Sequence, residues 1–200
     1  MRLSLLDKMN ARRNSQQGMT LIELMIAMVV LAIGLGGITS LLVIAIGTNN
    51  RNSRDTTATM LAQLVIEEIG SQDPNSSLPT IPITDCAGNA FNIAVTGGAA
   101  PGGTGAALVT SATSPSYGAI DQSQAAGAIP AGYQMNYVAC SVAGGTRATY
   151  DVRWNVMTIT TANSRLVTAS ARQMNSSSTL LGGPIFALPV SLRGIGGHSE

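Results

Sequence analysis

No charged side chain occurs between Leu24 and Gly47, and the next charge along the chain is Arg51. An α-helix needs about twenty apolar residues to cross the hydrocarbon core of a bilayer. This run is long enough, and in lipid an isolated apolar segment must be helical to satisfy its own backbone hydrogen bonds. The flanks give it a direction. Arg2, Lys8, Arg12 and Arg13 precede the run against a single acid, Asp7. Basic flanks stay cytoplasmic, so the chain beyond Gly47 is expected across the membrane. A secretory signal peptide would have a core of about 7–15 apolar residues and then a small-residue cleavage site. Here the run is longer, and no Ala-x-Ala follows it at that distance. An uncleaved signal anchor shares the same periodicity and stays open on this ground alone.

Charged residues make up only 10% of the chain, lysine occurs once, at Lys8, and histidine once, at His198. A phosphate-cradling P-loop needs Gly-Lys-Ser/Thr, and no such triplet exists. Two cysteines and one histidine cannot supply a four-ligand zinc site. A Schiff-base enzyme would depend on Lys8, inside the basic leader. The Gly-x-Ser-x-Gly pattern of a serine hydrolase is absent, and Glu67 and Glu68, adjacent on a helix, diverge by about 100° and read as a solvated face. His198 reads as an idle tail residue. No catalytic set, metal site or cofactor site is therefore expected, and the protein is not expected to be an enzyme. Beyond residue 18 the chain carries seven arginines against nine acids. That balance makes nucleic acid an unfavourable partner. Arg147, Arg153, Arg165 and Arg172 could hold a phosphate backbone only if all faced one side.

The edge of the apolar run carries a more specific pattern, Gly18-Met19-Thr20-Leu21-Ile22-Glu23. A glycine closes the basic stretch, and a carboxylate stands five residues beyond it. Here the sequence resembles a type IV prepilin. The resemblance implies that a prepilin peptidase cuts between Gly18 and Met19, that Met19 becomes the N-methylated first residue, and that Glu23 becomes the fifth residue of the mature chain. Phenylalanine is the family's commonest first residue, so Met19 is a departure. The chemistry is coherent. Glycine lets a protease approach the backbone without a Cβ in the way. Cleavage creates an α-amino cation one helical turn from Glu23, at the positive end of the helix dipole. A carboxylate alone in lipid costs a few kcal/mol. In the family this glutamate docks subunits by pairing with a neighbour's new N-terminus. Gly34, Gly36 and Gly37 each weaken the helix by about 1 kcal/mol. They read either as a soft segment or as a face for close helix contact.

The resemblance implies the pilin fold: α+β, with a long N-terminal helix packed on a C-terminal antiparallel β-meander. The division is a cleaved leader 1–18, a membrane-spanning and assembly helix 19–47, an amphipathic helix 48–70, and an extracytoplasmic head 71–200 with glycine-rich loops and a mobile tail. The residue pattern points the same way. Ala58, Leu61, Leu64, Val65 and Ile69 form one apolar stripe, and Gly70 with Asp73-Pro74 supplies the stop. Residues 71–90 read as a loop, Phe91–Val95 as a short strand, and 96–132 as surface loops with little to anchor a core. Tyr133–Ala143 has strand composition, with Gly144-Gly145-Thr146 as a turn. Tyr150, Val152, Trp154 and Val156 alternate with Asp151, Arg153 and Asn155, the pattern of a half-buried strand. Thr161–Ser164 is a turn, Leu166–Ala171 a third strand, and Leu188–Leu192 an edge strand before a glycine-rich tail. The 150–156 stretch is similar to that of certain minor pilins. Cys86 and Cys140 would lie outside the cytoplasm, where disulfides persist, and seven aromatic residues make a lean core. A structural disulfide is expected over two free thiols.

The function implied is that of a minor pilin of a type IV pilus, serving adhesion, twitching motility or pilus biogenesis. Its partners would be prepilin peptidase, other major and minor pilins, the inner-membrane assembly platform, and membrane lipid before assembly. It would sit in the bacterial inner membrane with its head in the periplasm, then in the fibre at the cell surface. A minor pseudopilin of a type II secretion system is the alternative, with a DNA-binding pilin for uptake behind it.

Overall fold

The computed structural model describes residues 19–73, 79–109, 118–140, 148–159, 164–174 and 188–196. The chain forms two compact units, Met1–Asn50 and Arg51–Glu200. Helix α1 runs Leu21–Gly70 and contributes to both. In the first unit every described residue is exposed, from Met19 to Asn50. These include large apolar side chains such as Leu21, Ile22, Met25, Leu31, Ile33, Leu41 and Ile44.

The second unit is α+β. The part of α1 within it buries Ala58, Leu61, Ala62, Val65 and Ile69. Spacings of three and four residues place these side chains on one face, as the sequence stripe requires. Leu64 is half-buried at the edge of that face. The helix ends where Ser71 N–H donates to the Glu67 carbonyl at 2.8 Å.

Among the described residues eight strands follow. β1 (Thr80–Thr84) and β2 (Ala90–Ala94) form an antiparallel hairpin. The rest form one six-stranded sheet: β3 (Gly98–Ala99), β4 (Thr104–Gly105), β5 (Gln134–Ala139), β6 (Ala148–Ile159), β7 (Ser164–Gln173) and β8 (Val190–Gly196). β6 is the spine. β7 pairs with it along its length, and β8 pairs with β7. On its other side β5 pairs with Ala148–Arg153, β4 with Asn155–Val156 and β3, in parallel, with Met157–Thr158. Each neighbouring pair in the order β5, β6, β7, β8 is antiparallel, so the meander inferred from composition is present. The glycine turn at 144–146 and residues 161–163 lie outside the described residues.

Tyr150, Val152, Trp154 and Val156 share one face of β6 and are all buried, Val152, Trp154 and Val156 with no exposed area. On that face Val152, Trp154 and Val156 are paired across to Ala171, Ala169 and Val167 of β7. Small residues opposite Trp154 leave room for the indole. Its Nε1–H donates to the Ala94 carbonyl at 3.1 Å, and the Tyr133 hydroxyl donates to Thr96 O at 2.6 Å. Each large ring thus buries its body and satisfies its polar tip.

Four sequence expectations are corrected. Residues 71–90 are not only loop, because β1 lies among them. Ile81 and Ile83 pack against the core and bracket the exposed Pro82, and a proline in an otherwise apolar strand disguises it. Residues 96–132 do anchor core: Ala106, Ile120 and Ile129 are buried, and β3 and β4 extend the sheet. The glycine-rich end is not wholly tail, because β8 continues through Gly196. A Cβ at Gly194 would collide with Cγ2 of Ile66, and one at Gly196 would lie 2.5 Å from the Gly70 Cα. These glycines let the sheet approach the helix backbone. Most consequentially, β6 is buried on both faces. Asp151, Arg153 and Asn155 retain 2%, 4% and 3% of their accessible surface.

Residues 118–128 and 102–107 cover that polar face. The Arg153 guanidinium pairs with Asp151 at 2.8 Å and donates to the Gln124 carbonyl at 2.7 Å. Asn155 donates to the carbonyls of Ala106 and Gly102 at 2.9 and 3.1 Å. Gln122 Nε2 donates to Ser170 Oγ at 3.0 Å. Polar side chains thus serve as the hydrogen-bond partners of irregular backbone laid over them, which otherwise could not be buried. An exposed arginine would change stability by less than about 0.5 kcal/mol when truncated. Removing one partner of a buried pair costs roughly 3–5 kcal/mol. Arg153→Ala is therefore expected to lose stability in the larger range, read by urea unfolding of the full chain in detergent through Trp154 fluorescence.

Candidate functional site

Gly18 and the basic leader lie outside the described residues. Met19, the residue after the inferred scissile bond, is 63% exposed and precedes the helix. Thr20 forms the helix boundary. Its carbonyl accepts from Glu23 N–H at 3.0 Å and from Leu24 N–H at 3.2 Å, and its hydroxyl oxygen lies 3.4 Å from Glu23 N. Glu23 is thus in the first turn of α1 and exposed. A negative side chain there meets the positive end of the helix dipole. Among the described residues no ion pair involves Glu23, and Arg51 is the first basic side chain after it in sequence. Among the described residues the carboxylate stands alone on an apolar helix surface.

That helix is apolar and long enough to cross a membrane, and none of its most apolar stretch is buried within the chain. A Cβ added at Gly34, Gly36 or Gly37 would meet nothing within 4 Å. Among the described residues no packing demands glycine there. Just beyond, the hydroxyls of Thr39 and Ser40 donate to the Gly36 and Gly37 carbonyls at 2.9 and 2.8 Å, bonds of a kind that bends helices.

The head contains a second construction. Cys86 and Cys140 form a disulfide, with Cα atoms 6.0 Å apart. Cys86 lies in the tip of the β1–β2 hairpin. There Asp85 begins a turn closed by Gly88 N–H to the Asp85 carbonyl at 3.1 Å, and Gly88 takes φ +86°, which suits glycine. The Asp85 carboxylate accepts from Ala87 N–H at 2.9 Å, Asn89 N–H at 2.8 Å and Asn89 Nδ2 at 2.8 Å. It also reaches across to Val138 N–H on β5 at 3.1 Å. One covalent bond and one four-fold accepting carboxylate therefore fasten the hairpin to the edge of the sheet. Sequence reading found the cysteines but not Asp85. Its signal was an Asp three residues before a glycine, in a stretch taken as loop.

The four arginines do not form a stripe. Arg147 lies outside the described residues. Arg153 is buried, and Arg172, half-buried, shares Asp151 with it at 3.5 Å. Arg165 is seven residues from Arg172 on β7, which puts it on the opposite face, and it is buried. Among the described residues no group of three or more His, Cys, Asp or Glu is placed to hold a metal ion. His198 lies outside them.

Residues 13–39 match the family described as the prokaryotic N-terminal methylation motif. No curated protein and no solved structure matches the chain. The matched segment contains Gly18, Met19 and Glu23. It marks the chain as type IV pilin-like, of the kind processed as a prepilin, and with the apolar helix it indicates membrane anchoring.

Burial raises the pKa of Asp85, but hydrogen bonds from Asn89, Val138 and Ala87 outweigh it and hold the carboxyl below its ordinary value. A carboxylate lowered on folding contributes stability in full above its unfolded value of about 3.9, and that contribution is lost as pH falls through the folded value. Asp85→Asn is expected to unfold more readily at neutral pH and to show a weaker loss of stability below about pH 4. Denaturation midpoints measured across pH check both. Cys86→Ser opens a loop of 54 residues' separation and is expected to cost roughly 4 kcal/mol in the chain-entropy model.

Proposed function

We propose that this protein is a minor pilin: a non-enzymatic structural subunit, cut by prepilin peptidase after Gly18, N-methylated at Met19, and built into or priming a type IV pilus. The observation that carries the reading is the methylation motif over residues 13–39, joined to a helix whose apolar surface has no cover among the described residues. Apolar side chains in such number must be covered by lipid before assembly and by neighbouring helices afterward. Glu23 is the charged exception on that surface. Pairing with the α-amine of an adjacent pilin would remove the cost of leaving it alone in an apolar setting.

The head supports a contact role. A disulfide at the hairpin suits a head in the periplasm and then on the cell surface, where disulfides persist. The Tyr-Asp-Val-Arg-Trp-Asn-Val stretch at 150–156 resembles the type IV pilus modification protein PilV, and we take this kind of minor pilin as the finer reading. Partners would be prepilin peptidase, other pilins and the inner-membrane assembly platform.

Mass spectrometry of the protein from cells with and without prepilin peptidase tests the first step. Cells with the enzyme should yield a chain lacking residues 1–18 and carrying one added methyl group. An intact chain in both strains would remove the proposal. Assembly is tested separately. Glu23→Val should still be cleaved but be depleted from sheared pili, and normal incorporation would show that the carboxylate is not the docking group.

A further inference from the structure

We infer that the head takes up an extended, uncharged peptide segment of a partner protein beside β5, as one added strand hydrogen-bonded to Gln134 and Asn136. The ladder of β5 puts those two residues on an open edge. Trp154 N–H donates to the carbonyl of Tyr133, the residue before β5, at 3.1 Å. Hydrogen-bonded and non-bonded pairs alternate along an antiparallel ladder. Met135, Tyr137 and Ala139 therefore bond to β6, while Gln134, Asn136 and Val138 turn their main-chain N–H and C=O groups the other way. Val138 N–H does so visibly, donating to Asp85 at 3.1 Å. Upstream, the Gly132 carbonyl accepts from Ala94 N–H at 2.8 Å. The β1–β2 hairpin is thus tied to this edge at both ends. Between the ties, the main-chain groups of Gln134 and Asn136 have no hydrogen-bond partner among the described residues. On the hairpin, Val95 N–H donates to the Pro79 carbonyl at 3.1 Å, so by the same alternation Asn92 faces away from β1.

A cavity of about 350 Å³ opens along that stretch, lined by Phe91, Ile129, Pro130, Gln134, Met135 and Asn136 among others. Its far wall is fixed by a turn, closed by Tyr133 N–H to the Pro130 carbonyl at 3.2 Å with Gly132 at φ +84°. The occupant follows from this chemistry. Unpaired donors and acceptors at strand spacing are matched by another main chain, the basis of strand addition. β5 carries none of the devices that blunt an edge: it has no lysine, no proline and no bulge. No residue lining the cavity is charged, and an unpaired charge buried there would be costly, so the segment is uncharged. Ile129 and Met135 are buried and Phe91 is half-buried, which gives one inward side chain of the segment an apolar seat. The volume is at the small end for a ligand cavity and suits a short stretch of chain.

The test titrates the full chain in detergent micelles with the end-blocked heptapeptide Ser-Thr-Val-Thr-Val-Thr-Ser, read by amide chemical shifts. Saturable shifts are expected at Gln134 and Asn136, with slowed hydrogen exchange of both amides. The same peptide N-methylated at its central threonine loses a main-chain donor and should bind about tenfold more weakly, the scale of one hydrogen bond. Asn136→Pro removes an outward N–H but none of the bonds to β6, and should weaken binding by a similar factor. Ala131→Trp, at an exposed lining position, fills the cavity without touching the ladder and should abolish binding, whatever proline does to folding. Absence of saturable shifts at Gln134 and Asn136 at millimolar peptide would overturn the inference. Equal binding of the N-methylated peptide would do the same, because side chains alone would then be recognised. Tighter binding of a peptide with glutamate in place of the central threonine would overturn the uncharged occupant.

Discussion

Every described residue in the first half of α1 is exposed, its large apolar side chains included. Water would order against the exposed Leu, Ile, Val and Met side chains at roughly 25 cal/mol per Å². The segment is therefore stable only where lipid or other helices replace water. Within either surrounding a helix is required, because each unpaired backbone group would cost several kcal/mol. One physical constraint thus accounts for the length of the run, its lack of charge and the placement of its single acid at the very start.

The second half of the same helix obeys a different rule. Its buried residues fall on one stripe, and that stripe belongs to a head with a small aromatic content. The head makes up for a lean core in two ways. It approaches the helix closely through Gly194 and Gly196, and it buries the polar face of β6 beneath loops whose carbonyls take up Arg153 and Asn155. The hairpin tip is then held by Cys86–Cys140 and by Asp85. Loops that would read as solvent-facing become structural once side chains from the sheet satisfy their backbone.

Polar groups play opposite parts in the two units. Asp151, in the head, is fully enclosed and paired with Arg153 and Arg172. Glu23, in the helix, has no ion-pair partner among the described residues. A satisfied buried carboxylate holds a fold together, whereas an unsatisfied one on an apolar surface favours association with whatever supplies a cation. The first is a property of the monomer, and the second is the group through which the proposed function would bring in a neighbour.

The amino-acid order alone determined the apolar helix, the motif at Gly18–Glu23, the amphipathic stripe and the alternating strands. Each is a local pattern whose period, 3.6 or 2, is written in neighbouring residues. Only the tertiary structure decided that Asp151, Arg153 and Asn155 are interior, that β1 exists despite Pro82, and that the glycines at 194 and 196 are contact points for a helix more than a hundred residues earlier. Burial depends on what the chain lays over a residue from far away, and no local period records it. Alternation along β6 revealed that its two faces differ in polarity, but only the segments at 102–107 and 118–128 decided that both are dry.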